Sequence, residues 1–116
     1  MLRGLIRRWR GQRLEHVRAI VRDHPERLAI AILQFVMADS YGAREPPMLA
    51  MRHRIDHLSA RQARQLGESL VRGEGLASLR LTAEEAALFN THFGSIIPTA
   101  ELIEHVRETL ARAVGL

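Results

Sequence analysis

The stretch that most constrains the fold is LAIAILQFVMA, residues 28–38, broken only by Gln34. On a helix of about 3.6 residues per turn, Leu28, Ile30, Ile32, Leu33, Phe35, Val36 and Met37 cover nearly the whole circumference. A helix that is apolar all round needs neighbours on every side, so this one is expected at the centre of a bundle. It falls short of the roughly 20 apolar residues that a membrane-spanning helix needs.

Helix grammar on both sides supplies the neighbours. In DHPE, Asp23 is placed to cap a helix running from about Pro25 to Ser40, with Pro25 in its first turn and Glu26 three residues after the cap. Upstream, Leu14, Val17, Ile20 and Val21 share a helical face, and Gly42 is a stop signal downstream. Pro47 is placed to open a helix with Met48, Met51, Ile55 and Leu58 on one face. Ser59 reads as the N-cap of 60–72, where Ala63, Leu66, Gly67, Leu70 and Val71 form a stripe ended by GEG. TAEE at 82–85 is a capping box for a helix facing Ala86, Phe89 and Phe93 inward. Thr99 caps the last helix, with Leu102, Ile103, Val106, Leu110, Ala113 and Val114 on its buried face and Glu108 positioned to pair with Arg112. The reading is all-α: a compact bundle of five or six short helices, with at most one short strand near 76–81, where LASLRL is ambiguous. Aromatics make up only 4% of the 116 residues, which favours helix packing over a β-sandwich.

The domain division follows from the N-terminus. Leu2, Leu5, Ile6 and Trp9 form one helical face, but this stripe is rotated by roughly 80° from that of Leu14, Val17, Ile20 and Val21. Gly11 lies between them, where it weakens a helix. Residues 1–13 are therefore expected to be a basic amphipathic helix separable at Gly11, and 14–116 the bundle domain. Arg3, Arg7, Arg8, Arg10 and Arg13 give the segment five positive charges and no acid, whereas residues 81–116 carry a net −3. No lysine occurs, so every basic residue is a planar guanidinium suited to carboxylate or phosphate. Four readings fit the segment: packing on its own domain, an interfacial helix on anionic membrane, phosphate contact with nucleic acid, or docking into a partner's groove. In the last, Leu2, Leu5, Ile6 and Trp9 are the anchors and the five arginines the partner or phosphate contacts. The same helix could exchange between copies of a homo-oligomer.

Chemical motifs are sparse. There is no cysteine, which removes disulfides, thiol catalysis and cysteine metal sites. No Gly-x-Ser-x-Gly elbow and no phosphate-cradling glycine loop occurs. Ser40, Ser59, Ser69, Ser78 and Ser95 read as caps, turn residues or solvated positions. His53 and His57, four apart on one helix, share a face, but Arg52 and Arg54 beside them repel a cation. Arg52, Arg54, Arg61 and Arg64 form a secondary basic face, the better-charged of two candidate DNA-reading helix pairs. The pair around GSIIPT would present Glu101, Glu104 and Glu108 to phosphate.

The sequence thus points to a small non-catalytic helical module, adaptor or regulatory, that presents helix faces to a protein partner or to its own copies. Its arginine-rich helix would add charge-dependent docking. Nucleic-acid binding is the alternative and peripheral binding to anionic membrane a further one. No catalytic residue, cofactor, metal or small-molecule substrate is inferred. A basic start without a long apolar h-region does not read as a signal peptide, so the expected setting is cytoplasmic or membrane-peripheral.

Overall fold

The computed structural model describes residues 14–39, 46–94 and 97–116. Within them the chain is all-α: α1 (Leu14–Asp23), α2 (Pro25–Asp39), α3 (Pro46–Asp56), α4 (Ala60–Val71), α5 (Ala83–Phe93) and α6 (Ala100–Ala113), with a 3-10 turn at Ala77–Leu79. Segment 76–81 therefore holds a 3-10 turn, and no strand occurs among the described residues. Leu79 turns inward there, and Arg80 follows in the left-handed region with φ 48°. Residues 1–13, with Gly11, lie outside the described residues, as do Ser40, Gly42 and Ser95.

Helix α2 sits at the centre, packed on α1, α3, α4 and α6. Leu28, Ala29, Ile32, Leu33 and Met37 are buried, while Ile30, Phe35 and Val36 are half-buried against the same core. Val17, Ile20 and Val21 of α1, Leu66 and Leu70 of α4, Phe89 of α5, and Ile103, Val106 and Leu110 of α6 close the core around it. Each fully buried Leu, Ile or Phe contributes roughly 1.5–3 kcal/mol relative to exposure. An exposed i,i+4 ion pair such as Arg64–Glu68 contributes roughly 0.3–0.5 kcal/mol, so burial dominates.

The helix ends follow local chemistry. Ser59 accepts from the Gln62 N–H (3.1 Å) while Gln62 Oε1 accepts from the Ser59 N–H (3.1 Å). Thr82 and Glu85 form the same reciprocal box, and Thr99 accepts from the Leu102 N–H. Asp23 is a correction. The α1 bonding continues through His24, whose N–H donates to the Ile20 carbonyl (3.0 Å). The His24 carbonyl then accepts from the Arg27 N–H (3.0 Å) and the Leu28 N–H (3.2 Å). The junction residue is thus His24, and Asp23 stays helical with its carboxylate toward Arg22 Nε (3.1 Å). Helix α3 starts at Pro46 rather than Pro47, both prolines falling in the first turn, where a missing N–H costs nothing. On α6, Ile103, Val106 and Leu110 are buried but Ala113 is exposed. Arg112 reaches Thr109 Oγ1 (3.5 Å) instead of Glu108.

Helices α2 and α4 cross closely at Gly67. A methyl group at Gly67 would stand 2.8 Å from the Glu26 carbonyl carbon and 2.9 Å from Glu26 Cβ, with the Glu26 carbonyl oxygen nearer still. The obstruction is mostly backbone, so it cannot swing aside. Gly67→Ala gains about 1 kcal/mol of helix propensity but overpacks the crossing, at a typical cost of roughly 1–3 kcal/mol. We expect a net loss of up to about 2 kcal/mol, read from urea midpoints; a variant more stable than the parent would contradict the crossing.

Candidate functional site

Beside the crossing, toward the N-terminus of α4, the two helices leave a groove of about 460 Å³ lined by Glu26, Arg27 and Ile30 of α2 and by Ala60, Ala63 and Arg64 of α4. Its shape follows from residue size. Gly67 draws the backbones together, and the two alanines, four and seven positions earlier, are too small to fill the space beyond. Ile30 is half-buried, whereas the Arg27 and Arg64 side chains stand in solvent. Glu26 is withdrawn, its carboxylate 3.3 Å from His24 Nδ1 and its side chain only 19% exposed. The floor is apolar and the rim cationic. A second hollow of about 430 Å³ lies between the 3-10 turn and α5, floored by Leu76, Leu81, Phe89 and Ile97.

The secondary basic face is divided by its partners. Arg54 forms an ion pair with Glu85, and its Nη2 donates to the Leu79 carbonyl (3.2 Å), tying α3 to α5 and the 3-10 turn. Arg64 Nε donates to Glu68 Oε1 (3.0 Å) along α4. Arg52 is half-buried, and Arg61 is exposed. Neither guanidinium has a hydrogen-bond or ion-pair partner among the described residues. Arg3, Arg7, Arg8, Arg10 and Arg13, with Leu2, Leu5, Ile6 and Trp9, lie outside the described residues.

The histidine pair is drawn together locally. The His53 and His57 rings stack with centroids 4.0 Å apart, and His57 Nδ1–H donates to the His53 carbonyl (2.8 Å). Among the described residues no group of three or more His, Asp or Glu side chains could hold a metal ion. Ser59 is a cap, as its position in the sequence predicts. Ser69 is not solvated: it is 1% exposed, and its hydroxyl has no hydrogen-bond partner. No helix of the described residues is long and apolar enough to cross a membrane.

Sequence reasoning missed the groove and the Arg18 contact. Arg18 Nε donates to the Val114 carbonyl (2.6 Å), placing a cation on the C-terminal end of α6, where the helix carries partial negative charge. The only sequence signal for the groove is the small-residue spacing Ala60, Ala63 and Gly67 on one face of α4.

Comparison of the chain with protein-family models, with curated proteins and with solved structures finds no match.

The Arg54–Glu85 tie carries a pH dependence. The Thr82 backbone N–H, and after it the Arg54 guanidinium, hold the Glu85 carboxyl below the ordinary glutamate value, against desolvation that raises it. A carboxyl with a depressed folded-state pKa stabilises the fold fully above its unfolded value, and that contribution is lost as pH falls through the folded value. Glu85→Gln keeps an acceptor for the Thr82 N–H but removes the charge. The variant should unfold at lower urea than the parent at neutral pH, and the gap should close as pH drops below the ordinary glutamate range. A gap that persists in acid would contradict the assignment.

Proposed function

We propose that the protein is a small non-catalytic helical interaction module, adaptor or regulatory, that binds a protein partner through the groove between α2 and α4. The observation that carries this is the groove itself: an apolar floor of Ile30, Ala60 and Ala63 beside a backbone crossing that holds its walls in place. A helix presented to such a groove buries one aliphatic or aromatic anchor, the mode by which amphipathic helices dock. The arginine-rich residues 1–13 add charge-dependent attachment, with Leu2, Leu5, Ile6 and Trp9 as anchors for the same partner or for a second copy. A cytoplasmic setting is part of this reading.

The division of the secondary basic face supports a protein partner over nucleic acid. Arg54 is committed to Glu85 and Leu79, and Arg64 lies beside a carboxylate, so two of those four arginines already have acceptors. A nucleic-acid surface depends on arginines that can release counterions from phosphate.

The test is affinity purification with the full chain, the chain lacking residues 1–13, and Ala63→Leu, which fills the groove. The truncated chain should stay helical by circular dichroism and lose its partner or change oligomeric state; an unfolded truncation shows that the segment belongs to the core. Ala63→Leu should lose the partner held by the parent. Eluates rich in nucleic acid that dissociate steeply with salt would replace this reading with nucleic-acid binding. Flotation with anionic but not neutral vesicles would replace it with membrane attachment.

A further inference from the structure

We infer that the occupant of the α2–α4 groove is an amphipathic helix of another protein whose apolar stripe is flanked by acidic residues, an inference that rests on the interaction-module reading above. Both exposed charges that line the groove are positive, one on each wall: Arg27 on α2 and Arg64 on α4. The Arg27 guanidinium has no hydrogen-bond or ion-pair partner among the described residues. Arg64 holds only Glu68, in an i,i+4 pair with the arginine side chain 74% exposed. So exposed a pair is weak and can reorganise when another carboxylate arrives. The one acid in the lining, Glu26, is held toward His24 and largely covered. Arg61, exposed beside Ala60, and the N-terminal end of α4 add charge of the same sign.

The floor between these walls is apolar and hollow. Two alanines and a half-buried isoleucine leave room for a leucine- or methionine-sized side chain. A helix lying in the groove would bury residues at i and i+3 or i+4 while the flanking positions face the walls. Carboxylates there meet guanidinium forks, whose planar geometry matches them bidentately. A basic segment, residues 1–13 of a second copy included, would be repelled by the same rim.

The experiment uses the full chain and a displayed library of helical peptides with a fixed apolar stripe and randomised flanks. Selected peptides should carry Asp or Glu at the flanks. Their affinity should fall about tenfold or more on Arg27→Glu/Arg64→Glu, and Lys-for-Glu versions of the peptides should regain it on that variant. Both arginines are exposed, so the double variant should keep the parent circular dichroism spectrum. Neutral or basic flanks, with binding still lost on Ala63→Leu, would overturn the acidic partner and leave the groove reading standing. Selected peptides indifferent to Ala63→Leu would overturn both. Self-association of the chain that Arg27→Glu/Arg64→Glu abolishes would make the occupant a second copy and overturn the inference.

Discussion

The close passage of Gly67 against the Glu26 backbone is the constraint on which the rest depends. It sets how near α4 lies to the central helix. That nearness places Leu66 and Leu70 in the core with Leu28, Ile32 and Leu33. Ser69, nearly opposite Gly67 around α4, is also buried, with a hydroxyl that has no hydrogen bond. An unpaired buried hydroxyl typically costs roughly 1–3 kcal/mol, which the surrounding apolar burial must outweigh. One turn away the same two helices leave the groove, which Ala60 and Ala63 are too small to fill. A tight crossing beside a hollow is thus one feature, with a stability side and a binding side.

Around this centre, polar side chains fasten the outer helices. Arg18 joins α1 to the end of α6, Arg54 joins α3 to α5 and the 3-10 turn, and Gln34 Nε2 donates to Asp56 Oδ1 (3.1 Å) between α2 and α3. These contacts fix where helices stop and which faces meet. They also change the meaning of an arginine-rich composition. A guanidinium that caps a helix end or pairs across the bundle is no longer available to phosphate, so the total charge overstates the charge on offer to a partner. Arg27 and Arg61 remain available, and Arg27 stands at the groove.

What was legible in the sequence is what is local. The boxes at Ser59 and Thr82 and the cap at Thr99 are decided within four residues, and the chain folds as those spacings imply. The central position of α2 was also legible, because only a surrounded helix tolerates apolar residues on every face. Asp23 misled because a good cap residue ends a helix only if the preceding helix has stopped, and here the α1 bonding runs on to His24. Gly67 looked like one more member of a buried stripe, since the backbone it approaches lies about forty residues away in sequence. Arg54 read as part of a basic face, and Arg18 gave no signal, for the same reason: their acceptors are 25 and 96 residues distant. Only one wall of the groove left a sequence signal, the spacing of Ala60, Ala63 and Gly67, because a hollow belongs to two helices at once.

The most direct test of the central claim is amide and methyl chemical-shift mapping of the full chain titrated with the partner recovered by affinity purification. The account predicts perturbations centred on Arg27, Ile30, Ala60, Ala63 and Arg64. Perturbations confined to the hollow of Leu76, Leu81, Phe89 and Ile97, or to the outer face of α6, would contradict it.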